Sequence, residues 1–275
     1  MDLDQNPGSL ADLAADPGTP AAVLTAALMS CHDPAQLPVA LHLTTHDDPQ
    51  VRRAAAQALP HLTDEPAAEA VVDALVTLTT DPWDDVRDWA CFALGTQLSE
   101  ADGPRLRDAL AARLSDPHDE TRCEALVGLA RRRDSRVLPV LLDRLADDNV
   151  LVLEVEAAGA LGDARLYPLV LRHLADWSGD SADKVCAALR LTDPDGVGDD
   201  LLDGLAEWYR SGCPDRRDDD QFWWTVTLGL LDLAEDRAVE IAAGVAARLD
   251  GDDAARLNLA RSALTQLARD HGWTA

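Results

Sequence analysis

The strongest constraint on the fold is a short pattern that returns at a nearly fixed interval. Asp48-Pro49-Gln50-Val51-Arg52 opens an alanine-rich stretch that runs to Leu59. Asp81-Pro82-Trp83-Asp84-Asp85-Val86-Arg87 opens another, ending at Gly95. Asp116-Pro117-His118-Asp119-Glu120-Thr121-Arg122 opens a third, to Leu129, and Asp148-Asn149 with Leu153-Glu154 opens a fourth, to Gly162. With Val51, Val86, Thr121 and Leu153 taken as equivalent, the steps are 35, 35 and 32 residues. A period of this length, with two helices per unit, marks an α-solenoid. Each unit packs only on its neighbours, so 275 residues can form one array although they exceed the usual size of a single globule. The expectation is an all-α solenoid of helical hairpins, a right-handed superhelix without a sheet. It is read as one domain over 1–275, with about six helical pairs. The clearest repeats are 48–176, and irregular loops are expected at 178–199 and 211–220.

Local chemistry supports each unit. An Asp in the turn can accept the free N–H groups of the next helix. Val51, Ala55, Ala58 and Leu59 follow the spacing of one buried helical stripe. The intervening partner helices are expected at 67–79, 104–115, 136–146, 165–176, 199–210 and 237–249. Pro139 and Pro168 fall in the first turn of theirs, where a missing N–H costs little. Ala and Leu dominate while aromatics are only 4%, which favours closely packed helices over strands.

The pattern Asp-Pro-x-x-x-Val-Arg-x-x-Ala-x-x-Ala-Leu-Gly resembles the short bacterial HEAT repeats, a class also found in relatives of phycobilin lyases. The resemblance is clear over 48–176 and decays through 18–47 and 180–270. It implies a fold and is nearly silent on activity. It also implies that Arg52, Arg87 and Arg122 brace adjacent repeats, and that the ladder is interrupted at the fourth unit, where Glu154 replaces the arginine.

Charge bounds the partners. Fifty acids against 24 bases give −26, a field that repels phosphate backbones and anionic membranes and attracts basic partners. The five cysteines are widely spaced without a CxxC pair, as in a reduced cytosolic protein. The first residues lack the basic start and apolar stretch of a signal peptide, and no apolar run approaches the ~20 residues of a membrane span. The reading is a cytoplasmic monomer with no membrane and no nucleic-acid partner.

No catalytic or metal motif stands out. His32, His46 and His118 each precede Asp, but equivalent turns lie a repeat apart, so they read as capping turns rather than a metal site. HEAT-type di-iron hydroxylases carry His-Glu pairs, and this chain has none. HExxH, GxSxG and P-loop motifs are also absent. Base excision on HEAT-like solenoids needs a basic groove, which this composition does not supply. Arg131-Arg132-Arg133 with Arg136 is the one basic knot, placed to satisfy carbonyls at the end of the helix that closes near Ala130. No catalytic residue, metal ligand or cofactor is assigned, and the chain leans away from being an enzyme.

The candidate site combines aromatic and acidic residues. Trp89 and Phe92 occupy positions that are small or polar in the preceding repeat, and Asp84, Asp85 and Asp88 flank them. In HEAT solenoids the helix after the Asp-Pro turn generally lines the concave face, so these residues are expected there. Glu124 and Glu156 extend the acidic stripe, and Trp224 follows Asp218-Asp219-Asp220. A ring bounded by carboxylates suits Arg or Lys. The function expected is a non-enzymatic interaction scaffold, or an inhibitor, holding a basic protein or peptide. The alternatives are an enzyme or small-molecule binder with an aromatic pocket and, third, an acidic mimic of nucleic acid.

Overall fold

The computed structural model describes residues 9–63, 69–173, 180–194, 196–213 and 222–274, without the side chains of 180, 182 and 222–225. Among the described residues there are seventeen α-helices, short 3-10 turns, and no strand. The chain divides into two compact units, Met1–Asp134 and Ser135–Ala275. The boundary follows Arg133, which has a positive φ of 51° at the end of a helix.

The first unit contains α1 (Leu10–Ala15), α2 (Ala21–Met29), α3 (Leu37–Leu43), α4 (Pro49–Ala58), α5 (Glu69–Leu78), α6 (Asp84–Phe92), α7 (Pro104–Ala111) and α8 (Asp119–Arg131). They stack in sequence order as two layers. The helices α1, α3, α5 and α7 form one, and α2, α4, α6 and α8 the other. Val51, Val86 and Thr121 are fully buried at equivalent places. Ala54, Ala55 and Ala56 are all without solvent contact, because α4 is pressed by α2, α6 and α3 at once. Only small side chains let three such neighbours approach.

The second unit contains α9 (Val137–Arg144), α10 (Val152–Leu161), α11 (Tyr167–Arg172), α12 (Asp180–Thr192), α13 (Asp199–Arg210), α14 (Phe222–Leu233), α15 (Ala238–Arg248), α16 (Asp253–Ala260) and α17 (Ala263–Asp270). Here α12 lies between α10 and α14, α13 packs on α15 and α16, and α15 packs on α17. The partner helices expected from sequence appear as α5, α7, α9, α11, α13 and α15. The fourth equivalence is looser. Leu153 is half-buried, because the turn before α10 is two residues longer, from Asp147 to the N-cap Leu151 against Asp116 to the N-cap His118, and Val155 takes the buried position.

Arginines brace the first unit. Arg52 grips Asp81 of the next turn with two bonds, at 2.7 and 2.9 Å, and Arg87 grips Asp116 at 2.9 and 2.8 Å. Each also donates Nη1 to carbonyls of its own turn, Arg52 to His46 and Asp47, Arg87 to Asp81 and Pro82. Asp81 and Asp116 each accept a backbone N–H as well, from Trp83 and His118. These donors hold both carboxyls below the ordinary carboxylate range against the opposing effect of burial. Arg122 closes on its own turn, through Asp119 and the Asp116 carbonyl. In the first clear repeat, His46 stands where later repeats have Asp. Its Nδ1 accepts the Asp48 N–H at 3.0 Å, the bond made by the carboxylate elsewhere.

At the fourth repeat the charge is reversed rather than lost. Glu154 is 1% exposed; it accepts Arg144 Nε at 2.7 Å and the Leu151 N–H at 2.9 Å. Within the basic knot, Arg132 is structural. Arg132 is buried at the end of α8 and donates to the carbonyls of Leu94, Leu98, Ala101 and Gly128. It thereby ties down the π-helical turn Ala93–Gln97 that ends α6. That turn crosses α8 at Gly95 and Gly128, where a Cβ on Gly128 would stand 2.6 Å from the Gly95 Cα.

Candidate functional site

The site is built on α6. Asp84 and Asp85 form its exposed first turn, where the helix N-terminus favours negative charge. One turn further, Asp88, Trp89 and Phe92 are half-buried, between the buried Val86, Ala90 and Cys91. The rings of Trp89 and Phe92 meet edge to face, with centroids 5.5 Å apart and planes at 89°. This geometry sets the positive edge of one ring on the negative face of the other.

Asp88 is the chemically unusual member. Its Oδ1 is buried and receives no hydrogen bond among the described residues. Burial pushes its carboxyl up to about 6; Glu120 and Asp85 add to the rise, and His118 of the adjacent turn opposes it. A desolvated carboxylate oxygen without a donor favours any cation that reaches it. The equivalent positions in the preceding repeat are Arg53 and Gln57, also half-buried, with Arg53 Nε and Gln57 Oε1 unpartnered. These residues of α4 and α6 form a stripe that retains solvent contact, in which Arg53 Nε, Gln57 Oε1 and Asp88 Oδ1 have no hydrogen-bond partner among the described residues.

The other sequence candidates are placed differently. Glu124 is half-buried on α8, near enough to Cys91 to help burial raise that thiol. Glu156 belongs to the second unit, is 5% exposed, and is committed to Lys184 at 2.5 Å. The backbone of Trp224 lies in α14, and its side chain is outside the described residues. The sequence reading gave no role to Trp83. It is 52% exposed at the N-cap of α6, directly before Asp84 and Asp85. Its signal was available, since a ring between Pro82 and an acidic first turn has no helical stripe on which to be buried.

Two clefts lie away from this stripe. One, of about 430 Å³, is lined by α1, α2 and the turn at Cys31–Gln36, and the other, of about 390 Å³, by α15, α16 and α17. Among the described residues, no three His, Cys, Asp or Glu side chains converge as metal ligands. No described helix is long and apolar enough to cross a membrane.

Comparison with known proteins agrees with this architecture. A family model described as HEAT repeats matches residues 9–95, 72–162 and 107–192. Protein YibA of Escherichia coli K12 is 41% identical over 120 residues, 44% of this chain and 41% of YibA, and its counterpart in E. coli O157:H7 matches equally. The X-ray structure of YibA superposes with a TM-score of 0.53 at 29% identity, covering 66% of each chain. The sequence match thus spans less than half the length of these relatives.

Proposed function

The chain belongs to the HEAT-repeat family, and on that footing we propose that it is a non-enzymatic interaction scaffold, or an inhibitor, whose acidic and aromatic stripe on α6 holds a basic protein or peptide. The observation that carries this reading is the unpartnered, desolvated carboxylate oxygen of Asp88, one residue from the Trp89–Phe92 pair. A guanidinium or ammonium supplies the missing donor, while the neighbouring rings cover its alkyl stem and attract its charge. Asp84 and Asp85 steer the cation at long range, and Trp83 offers an exposed ring at the head of the helix. Such a surface suits a constitutive adaptor and an inhibitor of a basic toxin or nuclease equally.

Affinity capture from native extract at low and high salt, with Phe92→Ala and Asp88→Asn chains beside the original, tests this. The expected result is a basic partner retained by the original chain, released by salt, and lost or weakened with both variants. A partner retained equally by all three chains, or a Phe92→Ala chain that melts far lower yet binds normally, removes the functional role of the stripe.

A further inference from the structure

The C-terminal end carries a second candidate surface, a cleft lined by two arginines. The cleft of about 390 Å³ between α15, α16 and α17 is lined by Leu257 and Trp273 together with Arg256 and Arg269. Leu257 is 48% exposed, a large apolar side chain left in water beside a half-buried indole. Arg269 is exposed, with no hydrogen bond or ion pair to its guanidinium among the described residues. Arg256 has one loose, exposed pair with Asp250 at 3.3 Å, of a kind that contributes little. Asp253 is the single acid on the cleft wall.

The chain as a whole is acidic. Acids outnumber bases 50 to 24 overall, and residues 1–51 contain no Lys or Arg at all. The cleft near the N-terminus is of similar size and is lined by no Lys or Arg. In residues 253–274, three arginines (256, 261 and 269) face two acids, Asp253 and Asp270. Two arginines over a hydrophobic cleft form a receptor for carboxylates attached to an apolar group, since guanidinium pairs with carboxylate through two parallel bonds.

We propose that this cleft docks an acidic peptide segment of a partner protein, one bulky apolar side chain resting on Leu257 and Trp273 and flanking carboxylates meeting Arg256 and Arg269. Charge complementarity selects this occupant. A continuous polynucleotide is disfavoured because a cavity of this size admits one or two side chains rather than a run of phosphates. The site is independent of the stripe on α6 and takes a ligand of the opposite charge.

The test is fluorescence anisotropy with the full chain and a labelled peptide that alternates glutamate with leucine and phenylalanine. Controls are the glutamine version of that peptide, its lysine version, and a single-stranded oligonucleotide. The acidic peptide should bind in low salt and its glutamine version should bind at least about fivefold more weakly. Replacing one arginine (Arg269→Gln) should weaken binding roughly fivefold, in line with about 1 kcal/mol for one exposed charged contact. The double variant Arg256→Gln/Arg269→Gln should weaken it further, and Leu257→Asn should weaken it without changing its salt dependence. All these positions are exposed, so melting curves of the variants should match the parent. Equal binding of the glutamine peptide, tighter binding of the oligonucleotide, or no effect of the double variant overturns the proposal. A concentration-dependent dimer abolished by the double variant also overturns it, in favour of contact between copies.

Discussion

Asp88→Asn is the most informative single change, because the structure assigns Asp88 a stability penalty with a definite pH dependence. Its carboxyl is held at about 6 instead of the ordinary 3.8, chiefly by burial. That difference sets a ceiling of about 3 kcal/mol on the penalty of ionised Asp88, and partial solvent screening reduces it to about 1–2 kcal/mol. An acid whose folded-state value is raised binds more protons when folded than when unfolded, between the two values. The penalty is therefore absent below about pH 4, grows between about 4 and 6, and is complete above about 6. Asparagine has the same shape without the charge. The variant should be about 1–2 kcal/mol more stable than the parent at about pH 7.5 and indistinguishable at about pH 4. Paired urea melts across this range measure the difference, in which the other carboxylates cancel. A variant less stable at about pH 7.5, or a difference that does not change with pH, refutes the argument. A basic partner should reverse the sign, since its cation relieves the penalty in the parent and has no carboxylate to meet in the variant.

Three further outcomes follow from the bracing contacts. Arg87→Ala leaves the buried Asp116 with Arg113, at 3.2 Å, and the His118 N–H, and should destabilise the chain by about 3 kcal/mol, whereas Arg105→Ala, which breaks the exposed pair with Asp73, should change it by less than about 0.5 kcal/mol in the same urea melts. Because Asp81 and Asp116 titrate below the ordinary range, the stabilisation they provide is complete above about pH 4 and is lost as pH falls through their lowered values, so the cost of Arg87→Ala should shrink in acid. Arg132→Ala strands the carbonyls of Leu94, Leu98 and Ala101 and should cost about 3 kcal/mol, with Arg132→Lys recovering less than half, since one ammonium cannot reach all of them; calorimetry and proteolysis near 94–101 report both. Gly128→Ala forces a methyl against the Gly95 backbone and should lower stability by about 2 kcal/mol or more, measured by thermal melting.

The fold was legible because each repeat announces its start with groups that have one physical use. Asp48 accepts the Gln50 N–H at 2.8 Å, and Pro49 sits in the first turn, so the helix begins where the sequence says. The arginine ladder was legible for the same reason, at Arg52 and Arg87. What escaped was substitution of one group by another with the same bonding capacity. A neutral imidazole offers a single acceptor nitrogen, which suffices for His46 to make the bond that Asp81 and Asp116 make. No arginine occurs on the preceding α2, so a carboxylate is not required there. Glu154 escaped because its counter-ion moved to α9. The clue was the placement of Arg113 and Arg144, each three residues before an acid of the next turn, Asp116 and Asp147.

The same contrast explains the uneven reading of the site. Trp89 and Phe92 are three residues apart on one helix, a spacing that makes side chains neighbours in any α-helix, so their contact needed no tertiary knowledge. The acidic stripe needed register between repeats, and register holds only while the turns keep their length. The longer turn before α10 carried Glu156 into the core, where burial of a carboxylate demands a counter-ion, and Lys184, the chain's one lysine, provides it. In the last third no repeat is regular enough to set a register. The arginines of α16 and α17 then look like scattered surface charge in a linear string. Arg256 with Leu257, and Arg269 with Trp273, are near neighbours in the sequence, and only the helix packing brings the two pairs to one cleft. A site assembled from irregular helices leaves no periodic trace, and its chemistry becomes visible only once the helices are stacked.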